Sequence, residues 1–242
     1  MTSPGILCYI FVIIISSIDN YLSKQGDDDM KQYLREPVNA LTHLFGAVLS
    51  IIGTIVLLCT NSLALSPVAI ISILIFGLSL VLLYTTSGIY HLVHTTDAIL
   101  LRLRKLDHAM IFILIAGSYT PFCMLSLTGA WKWGIIITVW SLALIGIILK
   151  IVWMNMPRWV STGFYIGIGW IALFALKPLY DSLSLGGFIF LLLGGAMYTI
   201  GGIIYGTKKP NFSPNFGFHE IFHIFVMLGS LCHYWAVFKY VL

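Results

Sequence analysis

The stretch FHEIFH at residues 218–223 sets His219, Glu220 and His223 in an H-E-x-x-H arrangement. Two histidines four apart on a helix stack on one face about 6 Å apart along the axis, so a single metal ion can accept both imidazoles. A zinc protease built on this motif uses the glutamate as base and draws its third ligand from downstream. No Asp or Glu follows Glu220 here, and the longer metzincin pattern fails because Val226 stands in the place of its glycine and Gly229 in that of its last histidine. His233 lies about 15 Å further along the same helix and cannot reach the same ion.

A catalytic zinc takes three protein ligands and keeps a fourth position open, so the third ligand is sought upstream. The best candidate is His91, which closes the stretch SGIYH with Ser87 one turn deeper on the same face. Asp107, in RKLDHAM, can reach the same region. A carboxylate that is not a ligand can orient or deprotonate a water, or hold a ligating imidazole by a hydrogen bond.

The solvent around these residues is set by composition. Hydrophobic residues make up 59% of the 242 and charged residues 9%, with a mean hydropathy of +0.98. A soluble domain carries about 25% charged residues, so the chain reads as an all-α integral membrane protein. Seven apolar runs approach the roughly 20 residues that span a bilayer core: 38–59, 68–91, 108–127, 133–153, 160–176, 184–205 and 218–238. The fifth is expected to end at Lys177-Pro178, where proline breaks a helix. The division is a 1–34 extension with a short apolar stretch at 4–18, read as interfacial, and a seven-helix membrane domain at 35–242. Cys8, Cys59, Cys123 and Cys232 show no disulfide or metal spacing and read as packing residues.

Odd-numbered spans start, and even-numbered spans end, on one face of the membrane. His43, His91, Asp107, His108, His219, Glu220 and His223 therefore converge at one end of the bundle. Ionisable groups in such places are functional candidates, because hydrocarbon cannot solvate them. The same end receives ten of the 13 basic residues, among them Arg35, Arg102, Arg104, Lys105, Lys150 and Arg158. The positive-inside rule then puts that end, and the start of the core, in the cytoplasm, with the C-terminus outside. The net charge of +4 follows from this asymmetry and calls for no nucleic-acid partner.

Other features have plainer readings. The polar segment 23–39 reads as a solvated lead-in, with Pro37 just before the first helix. Gly187, Gly194 and Gly201, with Gly195 and Gly202 beside them, mark a face where another helix approaches closely. GSYTPF at 117–122 suggests a distorted third span. His94 and His108 read as interfacial, His233 as packing toward the outer half near an aromatic belt, and His43 as a candidate for supporting the site.

Ser87-x-x-x-His91 ending the second span, Asp107 opening the third and His219-x-x-x-His223 opening the seventh resemble the progestin and adipoQ receptor (PAQR) family and its bacterial branch, the hemolysin III proteins. REPVNALTHLFG, RKLDHAMIFILIAGSYTPF and HYWAVFKY resemble the bacterial branch in particular. The resemblance covers residues 35 to the end. It implies a seven-helix bundle with its amino terminus inside. It also implies zinc held by His91, His219 and His223, with Ser87 and Asp107 near the water. Glu220 is not required by the family pattern, which argues against it as a base. The wider group includes alkaline ceramidases, implying hydrolysis of a lipid amide, with a membrane lipid as substrate or ligand. Two other readings are a cytolytic pore, suggested by the branch's name, and a sensor or homeostasis regulator whose zinc is structural.

Overall fold

A computed structural model describes residues 34–60, 66–213 and 216–242. The apolar stretch at 4–18 and nearly all of the 1–34 extension lie outside the described residues. Among the described residues the regular elements are all helical. They are α1 (Pro37–Thr60), α2 (Pro67–Leu92), α3 (Asp97–Pro121), α4 (Gly129–Val152), α5 (Arg158–Gly169), α6 (Leu176–Ser182), α7 (Leu185–Thr207) and α8 (Phe218–Ala236). With a π-turn at the ends of the third and last spans, and a 3₁₀ turn joining α5 to α6, they make seven segments long and apolar enough to cross a bilayer. Their outward faces are exposed aliphatic surface, including Ile52, Ile71, Leu78, Ile137 and Leu144. A surface of that extent belongs in lipid. Trp131 and Trp153 stand half-exposed at the two ends of α4, ~33 Å apart along the helix, about the thickness of the hydrocarbon core.

Helix starts follow local chemistry. Ser66 caps α2 by accepting from Ala69 N–H at 3.2 Å, and Ser184 caps α7 by accepting from Gly187 N–H at 3.3 Å. Pro37 and Pro67 occupy the first helical position, where no N–H is needed.

Two boundaries differ from the sequence reading. The third helix begins at Asp97, not near 108, so Arg102, Arg104 and Lys105 are helical rather than part of a loop. Hydropathy locates the apolar run, but leucine, arginine and lysine continue the helix beyond it. In the fifth span the α-helix breaks after Gly169 instead of at Pro178. The cause is Tyr119 of α3. Its hydroxyl donates to the Gly169 carbonyl at 2.6 Å and accepts from Ala172 N–H at 2.8 Å, satisfying the backbone opened there. Pro178 sits in the first turn of α6, where its missing N–H costs nothing. The third span is distorted as expected: after Pro121 it relaxes into a π-turn at Phe122–Ser126, and Lys132 Nζ takes the Met124 carbonyl at 2.9 Å.

Close helix contacts rest on small residues. A Cβ at Gly77 of α2 would lie 2.1 Å from Thr54 Oγ1 of α1. The glycine face of α7 receives the last span as expected, with Gly194 against His233, Gly201 against Phe225 and Gly187 against Tyr240. His233 is accordingly buried between helices, not in an outer aromatic belt. Its Nε2 lies 3.2 Å from the Leu191 carbonyl, and its ring packs against Phe122 and Tyr198. Gly194→Leu, which drives a side chain into that imidazole, is expected to cost about 1–3 kcal/mol. It should lower the thermal midpoint of the purified protein, and an unchanged midpoint would contradict the contact.

Candidate metal centre and its cavity

α1, α2 and α8 meet at the end where the titratable residues were expected. His219 and His223, in the first two turns of α8, face His91 in the last turn of α2, and the three offer nitrogens all within 4.8 Å of one another. His91 and His223 are almost fully buried. The ring of His43, from α1, stacks on that of His223 with centroids 3.6 Å apart and planes 10° from parallel, so α1 supplies the wall that holds His223.

Arg35 and Glu36, just before α1, are part of the site, which corrects the reading of these two residues as solvated lead-in; residues 23–33 lie outside the described residues. The last carbonyls of α2 have no partners within the helix. Arg35 N–H donates to Leu92 O at 3.3 Å and Glu36 N–H to His91 O at 3.0 Å, while the Arg35 guanidinium donates to Tyr90 O at 2.7 Å and lies over the Tyr90 ring. This clasp brings Glu36 Oε2 to 2.6 Å from Nδ1 of His91. Glu36 precedes the first span. Partial burial pushes its carboxyl up, but the hydrogen bond and charge of His91, with the charges of Arg35 and His219, outweigh burial and lower it to about 2. As a carboxylate it accepts Nδ1–H of His91 and leaves the lone pair on Nε2, the carboxylate–histidine pairing that orients metal ligands.

That tautomer bears on what the cluster can hold. Nε2 of His91 faces Nε2 of His219 at 3.3 Å. A zinc ion with bonds of about 2.0–2.1 Å in tetrahedral geometry separates its ligand nitrogens by roughly 3.3–3.4 Å. The three imidazoles, one of them oriented by a carboxylate, could hold a metal ion. Removing the orienting partner while keeping its shape should be felt in affinity. Glu36→Gln is expected to weaken metal binding about 10–100-fold, measured by competition with a chromophoric chelator. Equal affinity would show that Glu36 does not act on the ligand.

Glu220 is turned to another task. Its Oε2 accepts from Gly217 N–H at 2.8 Å and caps α8, while its Oε1 accepts from Asn39 Nδ2 at 2.8 Å and ties α8 to α1. It positions the helix that carries the two histidines. Glu36 and Asn39 are the residues that sequence reasoning missed. Glu36 sits outside every apolar run, and its only mark in the sequence is a carboxylate beside the membrane boundary.

Ser87 and Asp107 are buried next to the cluster, with the Ser87 hydroxyl beside the Asp107 carboxyl. Neither belongs to the close histidine group, but both line a cavity of about 110 Å³ that His43, His219 and His223 also face. The cavity runs between α2, α3, α5, α7 and α8 to His233, past Ile111, Tyr119, Trp170 and Val226. A smaller apolar cavity continues beyond His233 toward Leu179. His108 lines the main cavity, so it is not merely interfacial. A polar cluster at one end of a long apolar channel suits a molecule with a polar head and a hydrocarbon tail.

Fold and site together define a seven-span helical membrane protein with a buried three-histidine cluster at one end. The model of the haemolysin-III-related family matches residues 31–234. The chain is 38% identical to Hemolysin-3 of Bacillus cereus over 214 residues, covering 88% of this chain and 95% of that protein. It is 40% identical to a Hemolysin-3 homolog of Bacillus subtilis (strain 168) over 206 residues, 85% and 93% of the two chains. The human monocyte to macrophage differentiation factor matches at 26% over 209 residues, 84% and 82% of the two chains. The chain therefore belongs to the hemolysin III branch of the PAQR family.

Proposed function

We propose that this protein is a zinc-dependent hydrolase of lipid amides in the cell membrane. What supports this reading is a buried carboxylate–hydroxyl pair, Asp107 and Ser87, beside three clustered histidines at the head of an apolar cavity. His91, His219 and His223 would hold the zinc. When bound, zinc supplies Lewis acidity and lowers the pKa of a water toward about 7. Asp107 takes a proton from the water that attacks the amide carbonyl and returns it to the departing amine as the C–N bond breaks. Ser87 fixes the Asp107 carboxylate through a hydrogen bond. The acyl chain lies along Ile111, Ile115 and Val226, and the substrate arrives from the bilayer. By the basic-residue count the cluster lies on the cytoplasmic side, with the start of the core cytoplasmic and the C-terminus outside.

The test is turnover of ceramides and simpler acyl amides by purified protein, with and without chelator. Turnover is expected to vanish on metal removal and return with zinc, and turnover that persists without metal would sink the reading. The names of the Bacillus relatives favour a second one, lysis of cells by pores. It predicts erythrocyte lysis by purified protein that osmolytes of sufficient size prevent.

A further inference from the structure

Beside the histidine cluster, the same end of the bundle holds a second group of titratable residues that the proposed hydrolysis does not use. Lys150, in the last turn of α4, is 4% exposed, and its Nζ donates only to Ser161 Oγ of α5 at 3.0 Å. The charges that bear on it are Arg104 of α3 and Arg158, the first residue of α5; both are cations, and all three charges also act on His108. Among the described residues, Arg104, Lys150 and Arg158 form no ion pair with any acidic side chain. Arg104 Nε, Arg158 Nη1, His108 Nδ1 and Thr162 Oγ1 are buried without hydrogen-bond partners. The Arg158 guanidinium is held in place by the rings of Tyr205, 4.7 Å away, and Phe218, 5.3 Å away.

Basic residues at the cytoplasmic end of a membrane protein ordinarily reach into water. Arg102, Lys208 and Lys209 do so here, and Lys105 is spent on the Ile151 carbonyl. Lys150 does the opposite, and Arg104 and Arg158 are half-buried, with one nitrogen of each enclosed. Like charges brought together away from water repel and lose hydration, and among the described residues no carboxylate pairs with them; the rings at Arg158 and the Ser161 hydroxyl offset this only in part. A tetrahedral oxyanion would supply the rest: it can accept from the lysine ammonium and from arginine N–H groups at once, through charge-assisted bonds. Ser161 ends the first turn of α5 and Thr162 begins the second, near the helix start whose dipole also favours an anion. The exposed Trp153 and Trp159 on either side of the α4–α5 connection place the group at the depth of lipid headgroups.

We propose that Arg104, Lys150 and Arg158, with Ser161 and Thr162, form a binding site for a phosphate group, adjacent to the part of the cavity lined by His108, Thr162 and Tyr205. The phosphate of an anionic phospholipid and free phosphate share the required chemistry. The site stands whether or not the histidine cluster hydrolyses anything.

The experiment uses full-length protein stripped of lipid in uncharged detergent. Thermal midpoint and native mass spectrometry are read with phosphatidylglycerol, diacylglycerol or inorganic phosphate. Phosphatidylglycerol is expected to bind and raise the midpoint, while diacylglycerol does neither. Stabilisation by inorganic phosphate to the same extent would make free phosphate the source, and a weaker effect would make it the lipid. Lys150→Met keeps length and removes one buried charge. It should leave the lipid-free midpoint equal or higher yet weaken phosphatidylglycerol binding about tenfold or more; Arg104→Gln and Arg158→Gln should weaken it likewise. Wild-type binding in all three variants overturns the proposal. So does a protein that phosphate stabilises only after Asp27, Asp28 and Asp29 are changed to Asn, since the cations would then serve the chain's own acidic segment.

Discussion

His91→Ala is expected to weaken metal binding roughly a hundred- to a thousandfold while leaving the seven-helix bundle assembled. A structural zinc contributes about 10–16 kcal/mol through four ligands, so one ligand's share is roughly 2.5–4 kcal/mol, which is that factor in affinity. His91 is the informative position because it is the proposed ligand from a different helix. His219 and His223 remain a chelating pair four residues apart on α8 without it, whereas removing His91 also leaves Glu36 with no imidazole to orient. Metal content after dialysis against a weak chelator, and the thermal midpoint with and without zinc, are the two readouts. Wild-type protein should gain stability from zinc, and the variant should gain little at the same concentration. Lys177→Ala, at an exposed ion pair with Asp181 on the opposite end, should change neither. A variant that keeps full metal content through dialysis would remove His91 from the ligand set.

The residues at this centre differ in how they can be read from a sequence. His219 and His223 are legible because their relation is local: four residues on one helix have one geometry. His91 and Asp107 become legible through topology, since a count of spans alone puts the end of the second and the start of the third beside the start of the seventh. The closeness of the three histidines in the structure agrees with that count. Glu36 has no such route. It reaches His91 through backbone bonds that close the open end of α2, and nothing in its spacing announces them. The bond from Asn39 to Glu220 joins positions 181 apart. It reassigns the residue that completes the H-E-x-x-H match to holding a helix in place.

Breaks and burial are likewise tertiary. Pro178 suggests a break by its type, yet the fifth span yields at Gly169 because Tyr119 arrives from α3 to take the freed backbone. Arg104, Lys150 and Arg158 enter a sequence reading only as members of a charge count that sets orientation. That count treats a buried lysine and a solvated one alike. Which of them lie inside is decided by where α3, α4 and α5 converge.

Asp107→Asn separates a working centre from a structural one. The substitution keeps size and shape, and an amide can still hydrogen-bond the Ser87 hydroxyl, so metal affinity and thermal midpoint should stay close to wild type. An amide cannot take up the proton of an attacking water, so lipid-amide turnover should fall about 10²–10⁴-fold, the usual worth of a positioned acid–base group. Ser87→Ala should fall less, since it removes a positioning bond and leaves the carboxylate. The two effects should not add, because both act through the same group. If the zinc only braces α2 and α8, the pattern reverses. Histidine substitutions then lower stability, Asp107→Asn changes nothing measurable beyond local packing, and wild-type protein releases no fatty acid. Full turnover in Asp107→Asn with zinc bound would leave hydrolysis standing but take the proton transfer away from this carboxylate. The imidazole that would then be tested next is that of His43, buried on the cavity wall and stacked on His223 with neither nitrogen hydrogen-bonded.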